Sequence, residues 1–256
     1  MGTFRVFWLS IKDTFDEMFS LVVINLLWVL INAPLMGLAA FLIIEGATVP
    51  GIVVLLLAVL LMAPANAGLY TVAQRVTEGR VVSWRLFFEG FREYLMLSWR
   101  VYGVWTLGLV LILSNMSFYA RMGSNLGSFL LILFVYFLFV WVGLLIYIGP
   151  LMLLQSDKRI RVIARNAIFM VFGRPVFTLI TLVLMALFGV VLGVVSSGLL
   201  PLLLTFMFLA IWSFRATMTL IADAEARRAT RQEQAAEAAN RANTDKGRSG
   251  QIRPRD

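Results

Sequence analysis

Apolar positions fall in long unbroken runs separated by short polar segments, and this spacing predicts the architecture. The runs 21–44, 52–70, 101–119, 129–154 and 176–195 contain no charged residue, and 202–221 contains only Arg215. A helix needs about 20 apolar residues to cross a bilayer, so each run predicts one span. The fold class expected is therefore all-α integral membrane, with six transmembrane helices. The joints carry turn chemistry: Glu45–Gly51, Arg121–Gly127 and Ser196–Pro201 are short and rich in Gly, Pro, Asn or Ser, residues that favour reversals.

The polar segments have a pattern of their own. In residues 1–20, Phe4, Phe7, Trp8, Ile11, Phe15, Met18 and Phe19 recur at helical spacing, opposite Arg5, Lys12, Asp13, Asp16 and Glu17. That predicts an amphipathic helix at a membrane interface or one packed on the bundle. The acids just before the first run, and the lack of a cleavage site after a short apolar core, argue against a signal peptide. Residues 81–94 repeat the pattern, with Trp84, Phe87, Phe88, Phe91 and Leu95 on one stripe and Arg85, Glu89, Arg92 and Glu93 on the other. Arg85 and Glu89 are spaced for an i,i+4 ion pair. In the segment 155–175, Ile160, Ile163, Ala167, Ile168 and Val171 oppose Lys158, Arg161 and Arg165, and Gly173-Arg174-Pro175 predicts a helix stop before the next span.

Composition agrees with the pattern. The 256 residues are 61% hydrophobic and 14% charged, against about half and about a quarter in soluble domains. The formal charge is +8, and its distribution matters more than its size. Five cations follow the second run (Arg75, Arg80, Arg85, Arg92, Arg100), and five follow the fourth (Lys158, Arg159, Arg161, Arg165, Arg174). The loops after the first, third and fifth runs hold none, Arg121 alone, and none. Lys and Arg collect in cytoplasmic loops, so both termini are expected in the cytoplasm. Orientation and attraction to anionic headgroups account for the positive charge without nucleic acid. Residues 222–256 are a charged cytoplasmic tail, helical through the Ala/Arg/Glu/Gln-rich part to Asn240 and expected to be disordered at its end.

Candidate chemistry is sparse. There is no Cys and no His, so the commonest nucleophile, general base and metal ligands are missing. The only close groups of acids outside the tail, Asp13/Asp16/Glu17 and Glu89/Glu93, lie on helix faces beside basic residues. No enzyme activity, cofactor or metal is expected. Asn25, Asn32, Asn66 and Asn115 form a candidate intramembrane polar cluster. Asn side chains there serve either a neutral solute, together with aromatics such as Trp28, Trp105, Tyr136, Trp141 and Tyr147, or hydrogen bonds between helices. Trp84, Arg85, Phe87, Phe88, Phe91 and Arg92 are a candidate cytoplasmic interaction face; the plainer reading is an interfacial helix that steadies the following span.

Several of these residues resemble a family. Asn25-Leu26-Leu27-Trp28 with Pro34, Pro64-Ala65-x-Ala67-Gly68-Leu69-Tyr70, Phe87-Phe88-x-Gly90-Phe91-Arg92, and Arg165-Asn166-Ala167 before Pro175 are similar to the YesL-type family of uncharacterised bacterial membrane proteins, DUF624. The likeness runs from about Phe15 to Ile221, although the first two elements are separated by a turn and most of a span. The resemblance implies a bacterial cytoplasmic membrane and company with carbohydrate uptake systems, and it implies no catalytic residue. The expectation is a non-enzymatic membrane protein, accessory or regulatory to solute uptake. The alternatives are a permease or facilitator subunit for a small neutral solute, and a structural protein acting through lipid. Expected partners are the bilayer and a membrane transport complex or cytoplasmic protein.

Overall fold

The computed structural model describes residues 2–195 and 201–249, with side chains through 238 apart from 193, 195, 201 and 202. Residues 196–200 of the predicted Ser196–Pro201 turn and the last residues of the tail lie outside the described residues. The chain divides into two compact units, Gly2–Thr217 and Met218–Asp256.

The described residues are helical, with no strand among them. Helices α1 (Thr3–Asp16), α2 (Met18–Ile44), α3 (Thr48–Thr77), α4 (Trp84–Glu93) and α5 (Leu95–Ala120) are followed by α6 (Asn125–Gly143), α7 (Leu145–Leu154), α8 (Ile160–Gly173), α9 (Pro175–Val195) and α10 (Phe206–Ser249). A π-helical turn, Pro201–Thr205, opens the last of these. Six helical stretches are long and apolar enough to cross a membrane: Met18–Ile44, Thr48–Thr77, Leu95–Ala120, Asn125–Leu154, Pro175–Leu192 and Leu203–Ala238. Their outer faces expose Phe41, Leu56, Leu107, Phe129, Ile132 and Val190, as helices surrounded by hydrocarbon require.

Most spans run past the predicted ends, because Pro and Gly do not break helices where the sequence suggested. Pro50 falls in the first turn of α3, where a missing N–H costs little, so the turn shrinks to Glu45–Ala47 around Gly46 at φ 82°. The tail helix continues to Ser249, past Asn240; adding residues to an existing helix is easier than starting one, and the segment 241–249 is helical where disorder was expected.

Two interior prolines shape the bundle. Proline cannot donate to the carbonyl four residues earlier. Pro64 therefore frees the Leu60 carbonyl, which accepts the Trp99 indole N–H from α5 at 2.6 Å. Pro150 frees the Ile146 carbonyl, which accepts from the Ser213 hydroxyl of α10. The fourth span is accordingly two helices, broken at Leu144. Trp105 and Trp141 exchange indole-to-carbonyl hydrogen bonds at 3.0 Å, tying α5 to α6. Gly108 makes room for them, since a Cβ there would run into the Trp141 ring.

Helix α1 combines both sequence readings. It buries Thr3, Val6, Ser10 and Thr14, whose inner hydroxyls are satisfied within the helix by Ser10 to Val6 at 2.9 Å and Thr14 to Ser10 at 2.8 Å. Phe7 turns inward onto Phe188, Phe208 and Trp212, while Phe4, Trp8 and Phe15 face out. The aromatic stripe is thus divided: one ring packs the bundle and the rest form an outward apolar face.

Candidate functional site

Helix α4 sits in a seat made by missing side chains. A Cβ at Gly68 of α3 would fall 2.6 Å from the Phe87 carbonyl oxygen and 2.8 Å from its ring. A Cβ at Gly90 of α4 would collide with the Thr71 side chain. The two glycines, each in one of the motifs that carry the family resemblance, let α3 and α4 touch backbone to side chain. Small residues permit this kind of approach in membrane helices. Phe87 is 0% exposed as a result, with Phe88 and Phe91 half-buried beside it and in ring contact at 5.3 and 6.5 Å.

The candidate interaction face therefore splits. Phe87 is a buried anchor and offers no contact surface. Trp84 is 52% exposed, and Arg85 and Arg92 are exposed with it. The expected Arg85–Glu89 ion pair is not formed among the described residues. Arg85 instead lies over the Trp84 ring, 5.6 Å from its centroid, a contact worth about as much as or more than an exposed i,i+4 pair.

The segment before α8 reaches back to this region. Lys158, expected on the polar face of α8, lies ahead of that helix and donates to the Met152 and Leu153 carbonyls at 2.9 and 2.8 Å. It thereby caps the open end of α7, where a cation is favoured. Its ammonium also lies 5.4 Å from the centre of the Tyr94 ring, linking the α4–α5 joint to the α7–α8 joint. Burial lowers the Lys158 pKa, against the opposing pull of Glu93. Tyr94 is pushed up to about 12, first by burial and then by the adjacent Glu93 carboxylate. Asp157 is held below its ordinary value, first by the Arg159 backbone N–H. The buried face of α8 is Ile163, Ala167 and Val171; Ile168, predicted with them, is 42% exposed.

Inside the bundle, two of the four predicted Asn residues bond to Trp28. Asn66 accepts the Trp28 indole N–H at 2.9 Å. Asn25 is buried and accepts the Met207 backbone N–H at 2.9 Å, a donor at the π-to-α junction that opens the last span. Asn32 donates to the Trp28 carbonyl at 2.7 Å, and its buried Oδ1 has no partner among the described residues. Asn115 stands apart, half-buried and bonded to Leu111 of its own helix at 2.7 Å. Tyr147 bonds Thr178 at 2.7 Å, and Tyr136 is exposed. Most of the polar and aromatic candidates are thus engaged in joining helices.

Sequence reasoning missed two features. Asp13, placed on the polar side of an interfacial helix, instead receives a two-pronged contact from Arg215 in the last span, with Nη2 at 2.6 Å. Both partners are mostly covered, at 24% and 13% side-chain exposure. A charge within a span needs a partner, and Arg215 was the signal. The second is a cavity of about 250 Å³ whose lining includes Trp28, Asn66, Tyr70, Tyr102, Phe206 and Ser213. Gly149 places the Tyr70 ring there, because a Cβ would overlap it. Of the four predicted Asn residues only Asn66 lines this space.

These elements define a multi-pass helical membrane protein. Residues 21–116 match the model of a family described as a protein of unknown function, DUF624, and both glycine-bearing motifs lie within the match. No curated protein and no solved structure matches the chain.

Proposed function

We propose that the protein is a non-enzymatic accessory or regulatory membrane protein of a solute-uptake system, with the outer face of α4 as its contact surface. The observation that carries this reading is the exposed Trp84–Arg85 pair on a helix fixed to its seat by Gly68 and Gly90. Trp and Arg are the residues most often dominant in binding interfaces, and a helix already ordered loses little entropy on docking. The Lys/Arg distribution supports a cytoplasmic position for this surface and for both termini; a bacterial cytoplasmic membrane is what the family resemblance implies. The partner is then a cytoplasmic protein or a component of a membrane transport complex. Carbohydrate as the solute rests on the family resemblance alone. The alternative of a permease draws on the intramembrane cavity, but it is weakened by the engagement of Asn25 and Asn32 in helix contacts.

The test replaces Trp84 with a photo-crosslinking amino acid in the full-length protein and irradiates native membranes. Covalent capture of one defined protein, lost when Arg85 and Arg92 are also changed to Ala, is expected. Adducts to lipid alone would leave α4 as an interfacial anchor and overturn the reading.

A further inference from the structure

We infer that the cavity among α3, α5, α7, α9 and α10 is a binding site for a neutral amphiphile, a molecule with a small apolar body and one hydrogen-bond-accepting head. The inference is independent of the α4 surface. Its lining includes no Asp, Glu, Lys or Arg, so an ion would be left uncompensated. The Asn66 amide is held by the Trp28 indole through Oδ1, which leaves its NH2 to donate, and this NH2 has no partner among the described residues. Tyr102 also lines the cavity, and its hydroxyl likewise has no hydrogen-bond partner among the described residues. The Tyr70 hydroxyl lies beside Ser213. The rest of the lining, including Leu145, Leu182 and Met185, is apolar.

An uncommitted amide and an uncommitted phenol, both able to donate, call for an acceptor on the ligand. The mainly apolar lining calls for an apolar body and disfavours a molecule hydroxylated on every side. Size agrees: a dry cavity of about 150 Å³ holds benzene, and about 250 Å³ leaves room for the head.

The full-length protein is placed in lipid nanodiscs and its thermal unfolding midpoint followed with three probes. Benzyl alcohol has both body and head, toluene lacks the head, and xylitol lacks the body. A saturable rise in midpoint with benzyl alcohol is expected. Toluene should need at least about ten-fold more for the same shift, as should benzyl alcohol on Tyr102→Phe, which removes only the hydroxyl; tenfold is the cost of about one lost hydrogen bond. Leu182→Trp, which fills the space, should abolish the shift. If Leu182→Trp fails to fold, the Tyr102→Phe comparison still decides. Equal responses to benzyl alcohol and toluene, a response to xylitol alone, or no saturable response to any probe would each overturn the assignment.

Discussion

At the scale of single residues, the missing side chains are as informative as those present. Gly68 and Gly90 face occupied space, whereas a Cβ at Gly37 or Gly103 would meet nothing within 4 Å. Gly68→Ala would push a methyl into a backbone carbonyl that cannot rotate away, so we expect it to destabilise the protein by about 1–3 kcal/mol, the usual cost of overpacking. Gly90→Ala should cost a similar amount, because the new methyl would lie 2.6 Å from the Thr71 Cβ, which no side-chain rotation moves. Gly103→Ala, in the interior of α5, should be neutral or stabilising by up to about 1 kcal/mol. Unfolding midpoints of the three variants in one detergent provide the comparison; equal effects would show that the α3–α4 seat is not tight. The Asp13–Arg215 pair makes a second residue-scale prediction. Arg215→Met leaves a mostly covered carboxylate without its guanidinium and should cost about 3 kcal/mol. The double variant Asp13→Leu, Arg215→Met should recover most of that loss. No recovery would mean that Arg215 acts mainly through other contacts.

At the scale of the element, α4 shows how the apolar stripe and the charges divide their work. Phe87→Ala empties a fully covered site and should cost about 3–5 kcal/mol, whereas Trp84→Ala should cost no more than about 0.5 kcal/mol. Protease sensitivity of the α3–α4 connection checks the same point, with Phe87→Ala releasing the helix and Trp84→Ala leaving it protected. Lys158→Met removes two charge-assisted bonds to the end of α7 and should cost about 1.5 kcal/mol, read from the same midpoints. Much of this level was legible in the sequence. Helix order, the Arg121–Gly127 turn with Gly123 at φ 60° and the stop at Gly173-Arg174-Pro175 are local events, and local composition encodes them. The hydrogen bonds of the Leu60 and Ile146 carbonyls were not legible. Pro64 and Pro150 announce that a carbonyl is freed, but the donors, Trp99 and Ser213, lie on other helices, 39 and 67 residues from their acceptors. Asp13 and Arg215, 202 residues apart, were missed for the same reason: helical periodicity carries no information about which helices meet.

At the scale of the whole molecule, the apolar outer surface and the six long helices define a bundle built for lipid, and the charged connections give it its proposed direction. The candidate site was half legible. Asn32 and Asn66 do meet at Trp28, but the cavity depends on Tyr70, Tyr102 and Ser213, whose spacing along the chain signals nothing. The proposed function requires α4 and the α7–α8 connection to share the cytoplasmic side. Because the chain has no Cys, single-Cys variants at Ser83, Ser156, Thr48 and Ser124 can be labelled with a membrane-impermeant maleimide in intact and in opened cells. Ser83→Cys and Ser156→Cys should react only after opening, and Thr48→Cys and Ser124→Cys should react in intact cells. Labelling of Ser83→Cys and Ser124→Cys from the same side would contradict the six-span arrangement and, with it, the place of α4 in the account.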